Sequence, residues 1–161
     1  MAEVVKIRTG DEQVSEVPKD VACQSLVVKA AVEDYGVDEE VPLLEVTKPV
    51  LDKVMEYCAH LKEVGSPPVL AKPLRGDSLG CDQWYADFIN GLDEATVLEV
   101  ILAANNINLQ SLFELASARA ALIVKDKSAA DLRTFFKVQN DWTAADEERI
   151  RKENKWAEET V

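Results

Sequence analysis

The residues that could carry catalysis in this sequence are few and widely separated. His60 is the only histidine, and the sequence places no second metal ligand or triad partner beside it. Cys58 falls on the apolar stripe of a predicted helix, where a thiol packs as a core side chain rather than reacting as a thiolate. We therefore interpret His60 as a structural or surface histidine at a helix end, and we predict no catalytic residue, no metal site and no cofactor.

A run of carboxylates in the first third of the chain is the other candidate for chemistry. It lacks the alternating Asp or Asn ligands and the glycine of a calcium-binding loop. The chain has 30 acidic and 18 basic residues and a formal charge of -12, which argues against nucleic acid as a partner. We interpret the run as a solvated acidic face that could steer a basic partner. It comprises Glu33, Asp34, Asp38, Glu39, Glu40 and Glu45.

The thiols and the hydropathy indicate the compartment. Cys23, Cys58 and Cys81 are odd in number and widely spaced, which is typical of reduced thiols rather than of a disulfide framework or a zinc site. No apolar run approaches the ~20 residues that span a bilayer. The first ten residues also lack the long apolar segment of a signal peptide. We expect a cytoplasmic and nuclear protein that does not enter a membrane.

The stretch Asp93–Val124 is predicted to form the centre of the fold, because its apolar residues recur at helical spacing in two runs. The polar sequence Asn105–Asn108 separates the runs, and asparagine side chains compete with helical hydrogen bonds. We predict two helices joined by a short corner. The residues at helical spacing are Val97, Val100, Ile101, Ala104, Leu109, Leu112, Phe113, Ala116 and Ala120.

Ahead of this hairpin, alternating apolar residues predict strands. Val5–Arg8 and Val14–Val17 are separated by a polar loop and should form a β-hairpin. Val41–Leu44 is short and apolar, and its proline favours the edge or the first residue of a strand. Strands mixed with helices in this order indicate a small α/β or α+β domain.

Two helices are predicted among these strands. One begins after Ser25, a good N-cap, and ends at Gly36. The other begins at Pro49. The buried positions are predicted to be Leu26, Val27, Ala30 and Ala31 in the first helix, and Val50, Leu51, Val54, Met55 and Cys58 in the second.

The rest of the sequence supplies a loop and a tail. Residues 63–81 are rich in proline and glycine and have no periodicity, which predicts a mobile loop. Ser128 and Thr143 each begin a capping-box pattern ahead of a short helix. The aromatic side chains of the tail either fold back on the central helices or form a docking surface. They are Phe135, Phe136, Trp142 and Trp156.

The tail and the central hairpin also carry a resemblance to a known family. Asn140–Thr143 (NDWT), followed by Arg151–Glu159 (RKENKWAEE), is similar to the family pattern NDFT…RKENxWCEE. Ile101–Asn105 (ILAAN) matches a second signature of the family, and shorter matches at Val41–Leu43 and Tyr57–His60 lie in the right order. On these residues the chain is identified as a member of the Skp family, the adaptors of Skp–cullin–F-box (SCF) ubiquitin ligases.

The resemblance implies an α/β fold of the BTB/POZ type over residues 1–125, with a small sheet, helices and the flexible loop at 63–81. Two C-terminal helices in residues 126–161 would form an extension that binds F-box proteins. The family role is that of a non-catalytic adaptor without cofactors, which bridges a cullin scaffold to F-box substrate receptors for protein ubiquitylation. A weak homodimer of the free chain is also implied.

Individual contacts follow from the same resemblance. Cullin binding falls on Asn105 and Asn106, although the family usually has an aromatic residue at the second position. Two alternatives stay open: a structural subunit of a non-ligase F-box complex, and an elongin-C-like adaptor of another cullin ligase. The F-box contacts implied are Val97, Leu98, Phe113, Leu132, Phe135, Trp142, Ile150, Asn154 and Trp156.

Overall fold

The protein divides into two compact units, Met1–Asp126 and Lys127–Val161, which are described separately. The structure is a computed structural model and describes residues 3–74 and 78–158. The predicted loop at 63–81 includes residues 75–77, which lie outside the described residues.

A three-stranded sheet forms one side of the first unit. Strand β1 (Val4–Thr9) lies in the middle, antiparallel to β2 (Val14–Pro18) and parallel to β3 (Glu40–Leu43). Alternate side chains point to one face. The buried apolar side chains of that face are Val5, Ile7, Val17, Val41 and Leu43. The predicted hairpin and the edge position of the proline-containing strand are both confirmed.

Two helices connect β2 to β3. Helix α1 (Lys19–Ala22) is a single turn, and α2 (Leu26–Tyr35) begins after Ser25 and ends at Gly36, as predicted. The predicted buried face of α2 is wrong for three of its four residues. Val28 and Val32 are the buried side chains, Ala31 is half-buried, and Leu26, Val27 and Ala30 are exposed. Val28 rather than Leu26 or Val27 faces the core, because the Ser25 hydroxyl donates a hydrogen bond to the Ile107 carbonyl and so fixes the first turn of α2.

Helix α3 (Lys48–Val64) receives its N-terminal cap from another element. Its own N-cap residue, Thr47, makes no side-chain cap bond. Asp11 of the β1–β2 loop accepts a hydrogen bond from the backbone N–H of Lys48 (3.2 Å) and another from the buried Thr9 hydroxyl. The hairpin loop therefore fixes the start of α3, and the predicted apolar stripe of this helix is buried throughout.

The connection from α3 to α4 (Gln83–Asn90) begins at Gly65, whose positive φ of 74° closes the helix. Glu63 and Val64 of the predicted loop are still helical. Further along, the Ala71 amide donates to the Leu79 carbonyl (3.2 Å), and the Leu79 side chain is buried. These contacts attach the described ends of the connection to the first unit.

The two helices predicted within Asp93–Val124 form the centre of the core. Helix α5 (Glu94–Asn106) begins at Asp93, which accepts hydrogen bonds from the next turn, and α6 (Gln110–Val124) packs against it. The helix pair predicted from the sequence is confirmed. Seven of the nine residues at helical spacing belong to the main apolar core or pack against it, while Val97 is also fully buried and Ala120 is half-buried.

The second unit contains α7 (Ala129–Phe135), α8 (Ala144–Glu153) and the short α9 (Lys155–Glu158). Both predicted capping boxes are confirmed. The amide of Asp131 donates to the Ser128 hydroxyl (3.2 Å), the amide of Asp146 donates to the Thr143 hydroxyl (3.2 Å), and each aspartate accepts from its N-cap amide in return.

Candidate functional site

The corner between α5 and α6 presents the first set of predicted contacts. Asn105 and Asn106 lie in the last turn of α5 rather than in the turn itself, and both are exposed. The chain reverses at Ile107–Leu109, where Asn108 has a positive φ of 52°. The buried side chains of Ile107 and Leu109 anchor the reversal. The side-chain amides of Asn105 and Asn106 are therefore exposed on a corner whose backbone is held by two buried side chains.

A buried serine connects this corner to α2. The Ser25 hydroxyl donates to the Ile107 carbonyl (2.7 Å) and accepts from the Val28 amide (3.2 Å). Ser25 is fully buried, and Ile107 lies 82 residues after it in the sequence. A buried hydroxyl with both hydrogen bonds made holds its neighbours in one arrangement, because breaking either bond leaves a polar group unsatisfied. The sequence identified Ser25 as an N-cap but carried no signal for the second bond.

The predicted F-box contacts in the first unit differ in accessibility. Leu98 and Phe113 are half-buried, and Phe113 lines a surface cavity of about 280 Å³ beside Leu70–Leu74. Val97 is fully buried, so its side chain is not presented to a partner in this conformation. Leu102, which the sequence did not single out, is 63% exposed one helical turn before Asn106.

The second unit presents a set of partly exposed aromatic side chains. Trp142 is 48% exposed and Trp156 is 70% exposed, whereas Leu132, Phe135 and Ile150 are half-buried. Phe136, which was not among the predicted contacts, is 50% exposed and packs edge-on against Phe135 at 4.8 Å between ring centroids.

Polar contacts hold parts of this aromatic set in place. The Arg133 guanidinium lies 5.8 Å from the centroid of the Trp142 ring. Asn154 is exposed, and its side-chain amide donates to the Ile150 carbonyl (2.9 Å) at the end of α8. The second unit thus exposes aromatic rings at its surface. Asn154, one of the predicted F-box contacts, caps the C-terminus of α8.

The three cysteines and His60, the residues considered for chemistry, are each at least partly covered by the fold. Burial raises the pKa of the Cys58 thiol to about 12, and burial likewise raises the pKa values of Cys23 and Cys81. His60 stacks on Trp84 with ring centroids 3.7 Å apart, and Trp84 stacks in turn on Phe88 at 5.2 Å. The interpretation of Cys58 as a core side chain is confirmed, and His60 is part of an aromatic stack between α3 and α4.

Residues 3–74 and 78–158 contain no group of three or more His, Cys, Asp or Glu side chains that could hold a metal ion. In the same residues no helix is long and apolar enough to cross a membrane.

Comparison with protein families gives two matches, one at each end of the chain. Residues 3–63 match the profile described as "Skp1 family, tetramerisation domain", and residues 110–157 match "Skp1 family, dimerisation domain". The first profile is of the POZ type, which agrees with the small mixed sheet and its helices. The predicted BTB/POZ-type α/β fold, with helices following it, is confirmed.

Individual relatives match over nearly the whole length. The chain is 38% identical to the S-phase kinase-associated protein 1 homolog of Tetrahymena thermophila, covering 98% of this chain and 95% of the relative. It is 35% identical to the SCF ubiquitin ligase complex protein SKP1a of Dictyostelium discoideum (97% and 96%). It is 36% identical to the E3 ubiquitin ligase complex SCF subunit sconC of Emericella nidulans (99% of both). With both profiles matched and this identity sustained from end to end, the chain belongs to the Skp1 family.

Proposed function

We propose that this chain is a non-catalytic adaptor of an SCF E3 ubiquitin ligase, which bridges a cullin scaffold to F-box substrate receptors. The proposal rests on the similarity to family members that are named as SCF ubiquitin ligase subunits. The chain is 35% and 36% identical to two of them, and each alignment covers 97% or more of the chain. An adaptor of this kind needs two separate binding surfaces, and it needs no reactive group of its own.

Two exposed surfaces support the bridging role. The corner at Asn105 and Asn106 belongs to the first unit and is the proposed cullin contact. Trp142 and Trp156 belong to the second unit and are the proposed centre of the F-box contact. Large aromatic side chains dominate binding energies at protein interfaces, so partly exposed tryptophans are well suited to anchor a partner helix.

The state of the thiols supports the non-catalytic part of the proposal. A ubiquitin thioester forms by attack of a thiolate, and raising a thiol pKa lowers the thiolate fraction at neutral pH. Burial does this at Cys58 most strongly, and the same cause acts at Cys23 and Cys81. Ubiquitin transfer would then be performed by other subunits of the complex.

The bridging role can be tested with purified components. An F-box protein is immobilised, and a cullin N-terminal domain is added with and without this chain. We expect the cullin to be retained only when the chain is present. Retention of the chain without the cullin would instead favour a structural subunit of a non-ligase F-box complex. Binding of neither partner would contradict the proposal.

A charge at the corner separates the two surfaces. Asn105→Lys would force a partner to desolvate an unpaired ammonium, at a cost of several kcal/mol. We expect cullin retention to be lost while F-box binding is unchanged. Asn90→Lys is the matched control, because Asn90 is also an exposed asparagine at the end of a helix in the first unit. Equal loss of both partners from Asn105→Lys would show that the corner is structural rather than a contact.

A further inference from the structure

A surface cavity lies directly beside the corner. Its volume is about 530 Å³, and the last turn of α3, the first turn of α2 and the start of α6 all contribute to it. Leu61 and Pro67 supply apolar walls, and the buried Leu109 supplies another. Asn108, which turns the chain at the corner, is part of the same lining. The cavity and the corner are therefore one continuous surface of the first unit.

Leu26 stands at the edge of this cavity and is 56% exposed. Its position is fixed by its neighbours. Ser25 is bonded to the Ile107 carbonyl at 2.7 Å, and the Val27 amide lies 3.5 Å from the same oxygen. The first turn of α2 is thus attached to the α5–α6 corner on both sides of Leu26, and the exposed leucine shares the lining of the cavity with Asn108 of that corner.

We infer that the partner bound at Asn105 and Asn106 also covers Leu26 and places an apolar side chain in this cavity. The inference rests on the proposed function, which makes that partner a cullin. It adds a second, apolar contact region formed by α2 and α3, from which the sequence resemblance assigned no contact residue.

The physical reason is that two asparagines are too small and too polar to anchor a stable complex alone. Specific interfaces cover about 800 Å² on each partner, and their binding energy concentrates where apolar side chains fill desolvated pockets. The cavity beside the corner offers such a pocket. Lys62 lies in the lining and already forms an ion pair with Asp20, so its charge is compensated when the surface is covered.

Leu26→Asp is the informative variant, because it should not disturb the fold. Leu26 is the first residue of α2, and a carboxylate is favourable in the first turn of a helix. The side chain is also mostly outside the core. On the bound surface, however, the change removes apolar contact and introduces a charge without a partner. We expect the cullin dissociation constant to rise about 30-fold or more.

Tyr35→Ala is the matched control. Tyr35 is an exposed apolar side chain on the same helix, at its opposite end, and does not line the cavity. We expect it to change the cullin dissociation constant by less than about twofold, since well-separated sites act independently. F-box binding and the thermal unfolding midpoint are measured for every variant, so that a folding defect is recognised.

The outcomes separate this inference from the proposed function. Weakened cullin binding for both Asn105→Lys and Leu26→Asp, with F-box binding intact, supports the composite surface. Loss for Asn105→Lys alone overturns the inference and leaves the adaptor role standing. Cullin affinity that responds to neither variant removes the corner as the cullin site, and the inference with it.

Discussion

Trp156 allows the F-box side of the proposal to be tested by magnitude. The side chain is 70% exposed, so most of its surface is available to a partner. If the indole presents about 200 Å², a partner could bury about 140 Å² of it, worth at most about 3.5 kcal/mol at ~25 cal/mol per Å². Because binding also costs ordering and desolvation, we expect Trp156→Ala to weaken F-box binding by about 2–3 kcal/mol, or roughly 30- to 150-fold in Kd.

The same side chain should matter little to folding. The remaining third of the indole, about 60 Å², contributes at most about 1.5 kcal/mol to folding, and Trp156 belongs to the second unit. Trp156→Ala should therefore leave the unfolding midpoint of the Met1–Asp126 unit unchanged. Titration calorimetry with an F-box helix gives the Kd, and amide hydrogen exchange of the two units gives the stability of each.

Trp84→Ala is the contrasting control for this measurement. Trp84 is half-buried between His60 and Phe88 in the first unit, so its loss should lower the unfolding midpoint. Its effect on the F-box Kd of the folded protein should stay within about twofold. The reasoning is refuted if Trp156→Ala binds an F-box helix normally, or if it melts the first unit as Trp84→Ala does.

Two further predictions concern ionisable groups. The Thr9 hydroxyl and the capped backbone amides hold the pKa of Asp11 below its usual range. Its contribution to stability is thus present above the unfolded pKa of about 3.9 and is lost as pH falls through the folded pKa. Protonation of Asp11 should therefore lower the free energy of unfolding of the wild-type chain below about pH 4. In Asp11→Asn, which cannot be protonated there, the free energy of unfolding should depend less steeply on pH. Identical pH profiles for the two proteins would exclude this role. Replacing all three thiols by Ser should leave assembly with F-box and cullin intact in a folded variant, and mass spectrometry should find no ubiquitin thioester on the wild-type chain at Cys23, Cys58 or Cys81.

Local signals in the sequence were sufficient for most elements of the fold. Capping residues such as Ser25 and Thr143 and the helix end at Gly36 act on neighbouring backbone, so their effect can be predicted without the tertiary structure. The α5–α6 pair was predictable for a related reason. Each of its two helices has enough apolar residues at helical spacing for the helix to be predicted from the sequence.

The errors occurred where a distant contact decides the outcome. The buried face of α2 was assigned to Leu26 and Val27, although Val28 and Val32 are buried instead. Both assignments satisfy helical spacing, and the choice is made by the Ser25 bond to a carbonyl 82 residues away. The same limit applies to the corner, where α5 continues through Asn106 because the buried side chain of Ile107 completes the turn beneath it.

The candidate contacts were predictable only through the family resemblance, since no periodicity distinguishes a core side chain from one reserved for a partner. Val97 illustrates this, because it lies on the apolar stripe of α5 and is also an implied F-box contact, and in the structure it is fully buried. Leu26 is the opposite case, an apolar side chain expected in the core that is exposed at the surface. Exposure of single side chains depends on tertiary packing, which the sequence pattern does not contain.

The bond between Ser25 and Ile107 has a consequence for how the protein is made. A chain leaves the ribosome from its N-terminus, so Ser25 emerges long before the carbonyl that it must meet. The core shows the same order, because Val5 and Ile7 of the first strand belong to one cluster with Leu112 and Leu115. Until the α5–α6 corner has been synthesised, the Ser25 hydroxyl therefore lacks the carbonyl to which it donates in the folded protein. Residues 3–63 match a family profile of their own, yet they share one compact unit and one apolar core with the helices that follow them.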